Sequence, residues 1–221
     1  MDSLVTENLK RFKENVPKGV ELVAVSKTKP ISDIEQAYSA GQRHFGENRI
    51  QEMAEKAEAL PKDIHWHMIG HVQGNKIKYM APFVHLVHGI DKPKRLKELN
   101  KEAAKNDRVI KCLLQIHIAQ EETKFGFSPD EALETLQTDP EGRYPNVQIA
   151  GLMAMATNTT DQAVVKNEFR GMHELFKKAR QIYSSPEFKI LSTGMSGDYK
   201  LAIEEGSNMV RIGSAIFGKR D

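Results

Sequence analysis

Short apolar runs alternate with amphipathic stretches along this chain of 221 residues. Val5, Leu9 and Phe12 recur at helical spacing and predict an N-terminal helix ahead of the first strand. Strand patterns follow near Glu21 to Ser26, His44 to Gly46, Ile64 to Ile69, Val84 to Val87, Val109 to Ile118, Val147 to Met153, Lys189 to Leu191 and Met209 to Ile212. Helix starts are marked between them: Pro30 ahead of Ser32, Pro93 opening a long charged stretch, and Ser128-Pro129-Asp130-Glu131 with a cap, a proline and acids in the first turn. Connections are short, and neither a low-complexity segment nor a linker suggests a domain boundary. Eight strand–helix units argue for one (β/α)8 barrel domain, residues 1–221, with an extra N-terminal helix, rather than an open doubly wound sheet.

A barrel of this kind carries its chemistry at the C-terminal ends of the strands, often with an anion held after strands seven and eight. Lys27, Asn48, Gly70, Ser196 and Gly213 all fall at such ends. Lys27 closes the apolar run Leu22-Val23-Ala24-Val25-Ser26 just before Pro30, where partial desolvation can free an amine to attack an aldehyde. Lysines also end strands as solvated caps, and that reading stays open. Leu191-Ser192-Thr193-Gly194-Met195-Ser196-Gly197-Asp198 and Met209-Val210-Arg211-Ile212-Gly213-Ser214 each pair a short strand with a Gly/Ser turn, a pattern that suits a phosphate cradle as well as an ordinary cap. Arg211, inside the last strand, needs a partner there: a ligand ring nitrogen or a neighbouring carboxylate.

Other chemistry is weighed against plainer roles. His65 and His67 share one strand face and could ligate zinc, but with a single cysteine in the chain and no evident third ligand they read as structural, and no metal is expected. Lys124, in a loop after the fifth strand, competes with Lys27 as the reactive amine. The mixed charges from Lys92 to Arg108 read as an exposed helix face. Lys plus Arg at 32 against Asp plus Glu at 30 leaves no strong field for nucleic acid or an anionic membrane. The N-terminal residues do not form a secretory signal, no window reaches membrane-spanning length, and Cys112 cannot form an internal disulfide, so a cytoplasmic protein is expected, with Cys112 as a core residue.

Taken together, the Lys27 segment and the two Gly/Ser turns resemble the pyridoxal phosphate homeostasis protein family, related to the N-terminal barrel of alanine racemase. His44-Phe45-Gly46-Glu47-Asn48 with Gln51-Glu52, the segment Trp66 to Lys76, and Gly151-Leu152-Met153-Ala154-Met155 carry the likeness across nearly the whole chain. Thr193 stands where methionine is usual in that family and Ser214 where threonine is usual; the latter keeps its hydroxyl. The resemblance implies pyridoxal 5′-phosphate as cofactor, an internal aldimine on Lys27, phosphate contacts from Ser196, Gly213 and Ser214, Arg211 facing the pyridine nitrogen, and Asn48 among the cofactor-binding residues. It also implies a non-enzymatic role in buffering or delivering the cofactor, with apo enzymes as recipients and a monomeric form. The alanine racemase fold takes one of its two acid/base groups from a second domain of a partner subunit, and no such domain is recognised here. A racemase with an unrecognised second base, or a lysine-dependent aldolase acting on a sugar phosphate, are the alternatives.

Overall fold

In the computed structural model, which describes residues 3–119, 125–138 and 140–218, eight parallel strands close on themselves in sequence order. They are β1 (Glu21–Val25), β2 (His44–Glu47), β3 (His65–Met68), β4 (Leu86–Ile90), β5 (Ile110–Ile116), β6 (Val147–Ala154), β7 (Ile190–Ser192) and β8 (Met209–Ile212). β1 closes the ring, pairing with β2 on one side and β8 on the other, with Val23 opposite Arg211. The helices are α1 (Leu4–Asn15), α2 (Ile31–Ser39), α3 (Ile50–Ala59), α4 (Ile77–Met80), α5 (Pro93–Ala104), α6 (Pro129–Gln137), α7 (Pro140–Arg143), α8 (Gln162–Ile182), α9 (Tyr199–Glu204) and α10 (Ser214–Phe217). Among the described residues, no helix is long and apolar enough to cross a membrane.

Side-chain alternation sorts the strand residues into two cores. Ala24, Phe45, Trp66, Val87, Leu114, Leu152 and Val210 belong to the large apolar cluster that includes Ile34, Met53, Leu96 and Leu136 of the surrounding helices. Val23, Leu86, Leu113, Ala150, Met153 and Met209 form a separate cluster inside the ring. A fully buried side chain of this size contributes about 1.5–3 kcal/mol through its removal from water. The inner cluster therefore makes the barrel floor a solid support for whatever lies above it.

Local signals explain the helix boundaries. Ser3 Oγ accepts from Thr6 N–H at the start of α1, whose Val5, Leu9 and Phe12 are buried as the spacing predicts. The Ser128–Glu131 capping box forms in full at α6. α5 buries Leu96, Leu99 and Ala103 and pairs Arg95 with Glu98 and Lys105 with Glu102 on its charged side. Cys112 is buried, and burial pushes its thiol up, consistent with a core role.

β4 departs from the expectation of Val84 to Val87 and runs from Leu86 to Ile90. Its five residues are all buried, so no polar alternation marks its end, and His88-Gly89 looks like a turn in sequence. The register also shifts in two places, between Val87 and Ile90 in the β4–β5 pair and after Cys112 in the β5–β6 pair, where Gly151 adopts φ 153°. A side chain at Gly151 would collide with the Ile190 carbonyl, which explains the glycine.

Candidate functional site

A cavity of about 460 Å³ opens at the C-terminal mouth, lined by residues at or just after the ends of β1, β2, β3, β5, β6, β7 and β8. Lys27, Asn48, Gly70, Ser196, Arg211, Gly213 and Ser214 all line it. Residues read from separate parts of the sequence are thus brought to one place. Lys124 lies outside the described residues; Phe125, next to it in the chain, reaches the cavity wall.

The Lys27 segment is built on a buried charge network. Glu47, at the end of β2, accepts from Ser26 Oγ at 2.6 Å and from Lys56 Nζ at 2.9 Å. Lys56 also donates to the Ser26 carbonyl at 2.9 Å and to Glu52 at 2.7 Å. Glu52 in turn accepts from Thr28 N–H at 2.6 Å. Thr28 has φ 64°, a left-handed conformation that costs a β-branched residue energy. The residues on both sides of Lys27 are therefore clamped, which fixes where its half-buried side chain leaves the backbone.

Burial dominates the electrostatics of Glu47 and raises its carboxyl to about 7, against the pull of Lys56 and Ser26. Burial also pushes Glu52 up, but hydrogen bonds from Lys56 and Thr28 N–H outweigh it and hold Glu52 below the ordinary carboxylate range. Glu47 is thus the carboxyl of the pair that takes up a proton first, while Glu52 stays charged beside Lys56.

Asn48 and Gly70 follow β2 and β3, and their backbones touch: a Cβ on Gly70 would fall within 2.4 Å of the Asn48 carbonyl oxygen. Only glycine allows that approach. Across the mouth, Ser196 Oγ accepts from Gly213 N–H at 3.3 Å, tying the turn after β7 to the turn after β8. Gly197 faces open space, with nothing within 4 Å of where a Cβ would sit. Ser214 begins α10 and is exposed at the rim.

Arg211 is buried, and its guanidinium donates to the Ser192 carbonyl at 2.8 Å, Ser192 Oγ at 2.7 Å and the Ala154 carbonyl at 3.1 Å. All three acceptors are neutral oxygens, so the carboxylate partner that sequence reasoning allowed is not what holds it. Burial lowers its pKa to about 10, which leaves it charged at neutral pH. Three bonds engage three of the five donors of a guanidinium. The side chain forms part of the cavity wall.

Sequence reasoning missed His71, Gln115 and Met155, which also line the cavity. Gln115 carried a signal, a lone amide between Leu114 and Ile116 in an apolar strand; its Nε2 donates to the Phe125 carbonyl at 2.8 Å. His71 packs on Phe125 at a ring separation of 4.5 Å and lies 3.5 Å from Asp91, contacts made through loops that no periodicity marks. The Glu47–Lys56–Glu52 network was likewise unread, because a buried lysine on a helix looks in sequence like a surface one.

The donor set suits a phosphorylated aldehyde with an aromatic ring: an amine, two hydroxyls and an open glycine turn, a buried guanidinium, and apolar walls from Val25, Ile69 and Met155. Comparison with known proteins follows the same line. Residues 3–221 match the family model "alanine racemase, N-terminal domain". The chain is 37% identical over 230 residues to a pyridoxal phosphate homeostasis protein of Pasteurella multocida, covering 98% of each. It is 42% identical over 205 residues to the protein of the same name from Haemophilus influenzae, covering 91% of this chain and 86% of that one. Among solved structures, PipY of Synechococcus elongatus superposes with TM-score 0.91 without PLP and 0.87 with PLP bound, at 32% identity, covering 97% of this chain and 100% of PipY.

Proposed function

The chain belongs to the alanine racemase N-terminal domain family, among the pyridoxal phosphate homeostasis proteins, and on that premise we propose that it binds pyridoxal 5′-phosphate in order to buffer or deliver it. The observation that carries this reading is the composition of one cavity, in which Lys27, the Ser196 and Ser214 hydroxyls and the charged Arg211 meet. Lys27 binds the cofactor covalently. Ser196, Ser214 and Gly213 N–H hold its phosphate, Arg211 faces its ring nitrogen, and Asn48 lines the wall beside Gly70.

Arg211 decides between holding and transforming. When bound, the cofactor supplies an aldehyde and an electron sink whose strength depends on a protonated ring nitrogen. A guanidinium is donor-only and stays charged, so at that nitrogen it favours the unprotonated ring and a weak sink. In this reading the recipients are apo enzymes that use the same cofactor, the acting form is a monomer, and the compartment is the cytoplasm.

The test is a transfer assay beside a turnover assay. Protein loaded with pyridoxal phosphate is expected to restore activity to an apo enzyme while showing negligible amino-acid racemisation or α-proton exchange. Robust racemisation by the unmodified protein, lost in Lys27→Ala, would overturn the non-enzymatic reading.

A further inference from the structure

At the opposite, N-terminal mouth of the barrel, four imidazoles come together: His44 opens β2, His65 and His67 lie two residues apart on β3, and His85 precedes β4. The sheet register explains the meeting, since His44 pairs with His65 and Gly46 with His67. Ring centroids lie 4.6 Å apart for His44 and His65, 5.1 Å for His44 and His67, 5.6 Å for His44 and His85, and 4.3 Å for His65 and His85. The third ligand that the sequence did not reveal is supplied by neighbouring strands.

We propose that this cluster is a binding site for a divalent transition-metal ion of the zinc, nickel or copper type, ligated by one ring nitrogen each of His44, His67 and His85. Those three nitrogens lie within 4.8 Å of one another. Nitrogens about 2.0–2.1 Å from a tetrahedral ion lie roughly 3.4 Å apart, so small side-chain adjustments close the site. His44 Nδ1 and His67 Nε2, now 2.9 Å apart, share a hydrogen that the ion would replace.

The surroundings support ligation. His67 turns its other nitrogen, Nδ1, to His88 Nε2 at 2.9 Å, the kind of outer bond that fixes the orientation and tautomer of a ligating imidazole. His65 Nδ1 meets His44 Nε2 at 3.2 Å, and Glu21 lies 3.6 Å from that same nitrogen, offering a nearby negative charge. Lys111 and Arg108 lie near enough to His85 for their charges to act against a cation there. An all-imidazole set selects borderline transition metals over magnesium or calcium. The buried His67 forms the back of the site, and His44 is only partly buried, which leaves an entry path.

The experiment is a calorimetric titration of the untagged chain with zinc chloride, with a cobalt(II) visible spectrum as the structural readout. One saturable ion per chain is expected, with a nitrogen-ligated cobalt band, and at least about tenfold weaker binding in His85→Ala. His173→Ala, on α8, should bind as wild type does. His85 sits at the strand entrance rather than in the apolar cores, so His85→Ala should fold, and circular dichroism checks that it has. Absence of saturable binding, or equal binding by wild type and folded His85→Ala, would overturn the proposal. The proposal is independent of the cofactor reading, because the titration uses the metal alone.

Discussion

On folding, burial pushes the Glu47 carboxyl, one strand away from Lys27, from 4.5 up to about 7, and that shift has a readable consequence. Between those values the folded chain keeps a proton that the unfolded chain has released, so this group's contribution to stability falls as pH rises through the window. The low-lying histidines His44 and His85 act in the opposite sense over part of the same range, so the quantity to read is a difference between two proteins. Glu47→Gln should gain stability relative to wild type steadily as pH rises from 4.5 to 7 and hold a constant offset above that, in urea unfolding series at each pH. A pH-independent difference would show that Glu47 is already ionised throughout and that Lys56 outweighs its burial.

The two turns after β7 and β8 act as elements, joined by the Gly213 N–H to Ser196 Oγ bond of 3.3 Å. A hydrogen bond to a charged group contributes about 1.5–3 kcal/mol. Ser196→Ala and Ser214→Ala are therefore each expected to weaken pyridoxal phosphate by roughly ten- to a hundredfold while leaving unphosphorylated pyridoxal nearly unaffected, as measured by spectroscopic titration. Backbone donors remain, so binding should persist. Equal losses for both ligands would show that neither hydroxyl meets the phosphate. These turns were legible in sequence because glycine and serine mark them directly. β4 was not, since five buried residues erase the period of two and His88-Gly89 imitates a turn.

At the scale of the whole molecule, the repeat of strand and helix made the barrel readable, and the barrel then explains why Lys27, Asn48, Ser196, Arg211, Gly213 and Ser214 share one wall. What stayed hidden was long-range. Lys56 is six per cent exposed and bonded to three oxygens, yet in sequence it stands among the charges of an ordinary helix. His44 and His85 lie 21 and 18 residues from His65 and His67 respectively, and only the closure of β2, β3 and β4 side by side makes them one cluster. Register carries this information, and in a parallel barrel each strand meets its partner across a crossover connection rather than through a tight turn that sequence marks.

The sequence offers two lysines as the reactive amine, Lys27 and Lys124, and the choice between them is the point on which the functional reading turns. Borohydride reduction of the protein loaded with pyridoxal phosphate, followed by peptide mass mapping, decides it. The pyridoxyl mass should appear on Lys27, with the bound-cofactor absorbance near the visible edge lost in Lys27→Ala. A pyridoxyl group found on Lys124, or no covalent adduct at all in a protein that retains the cofactor, would contradict the assignment.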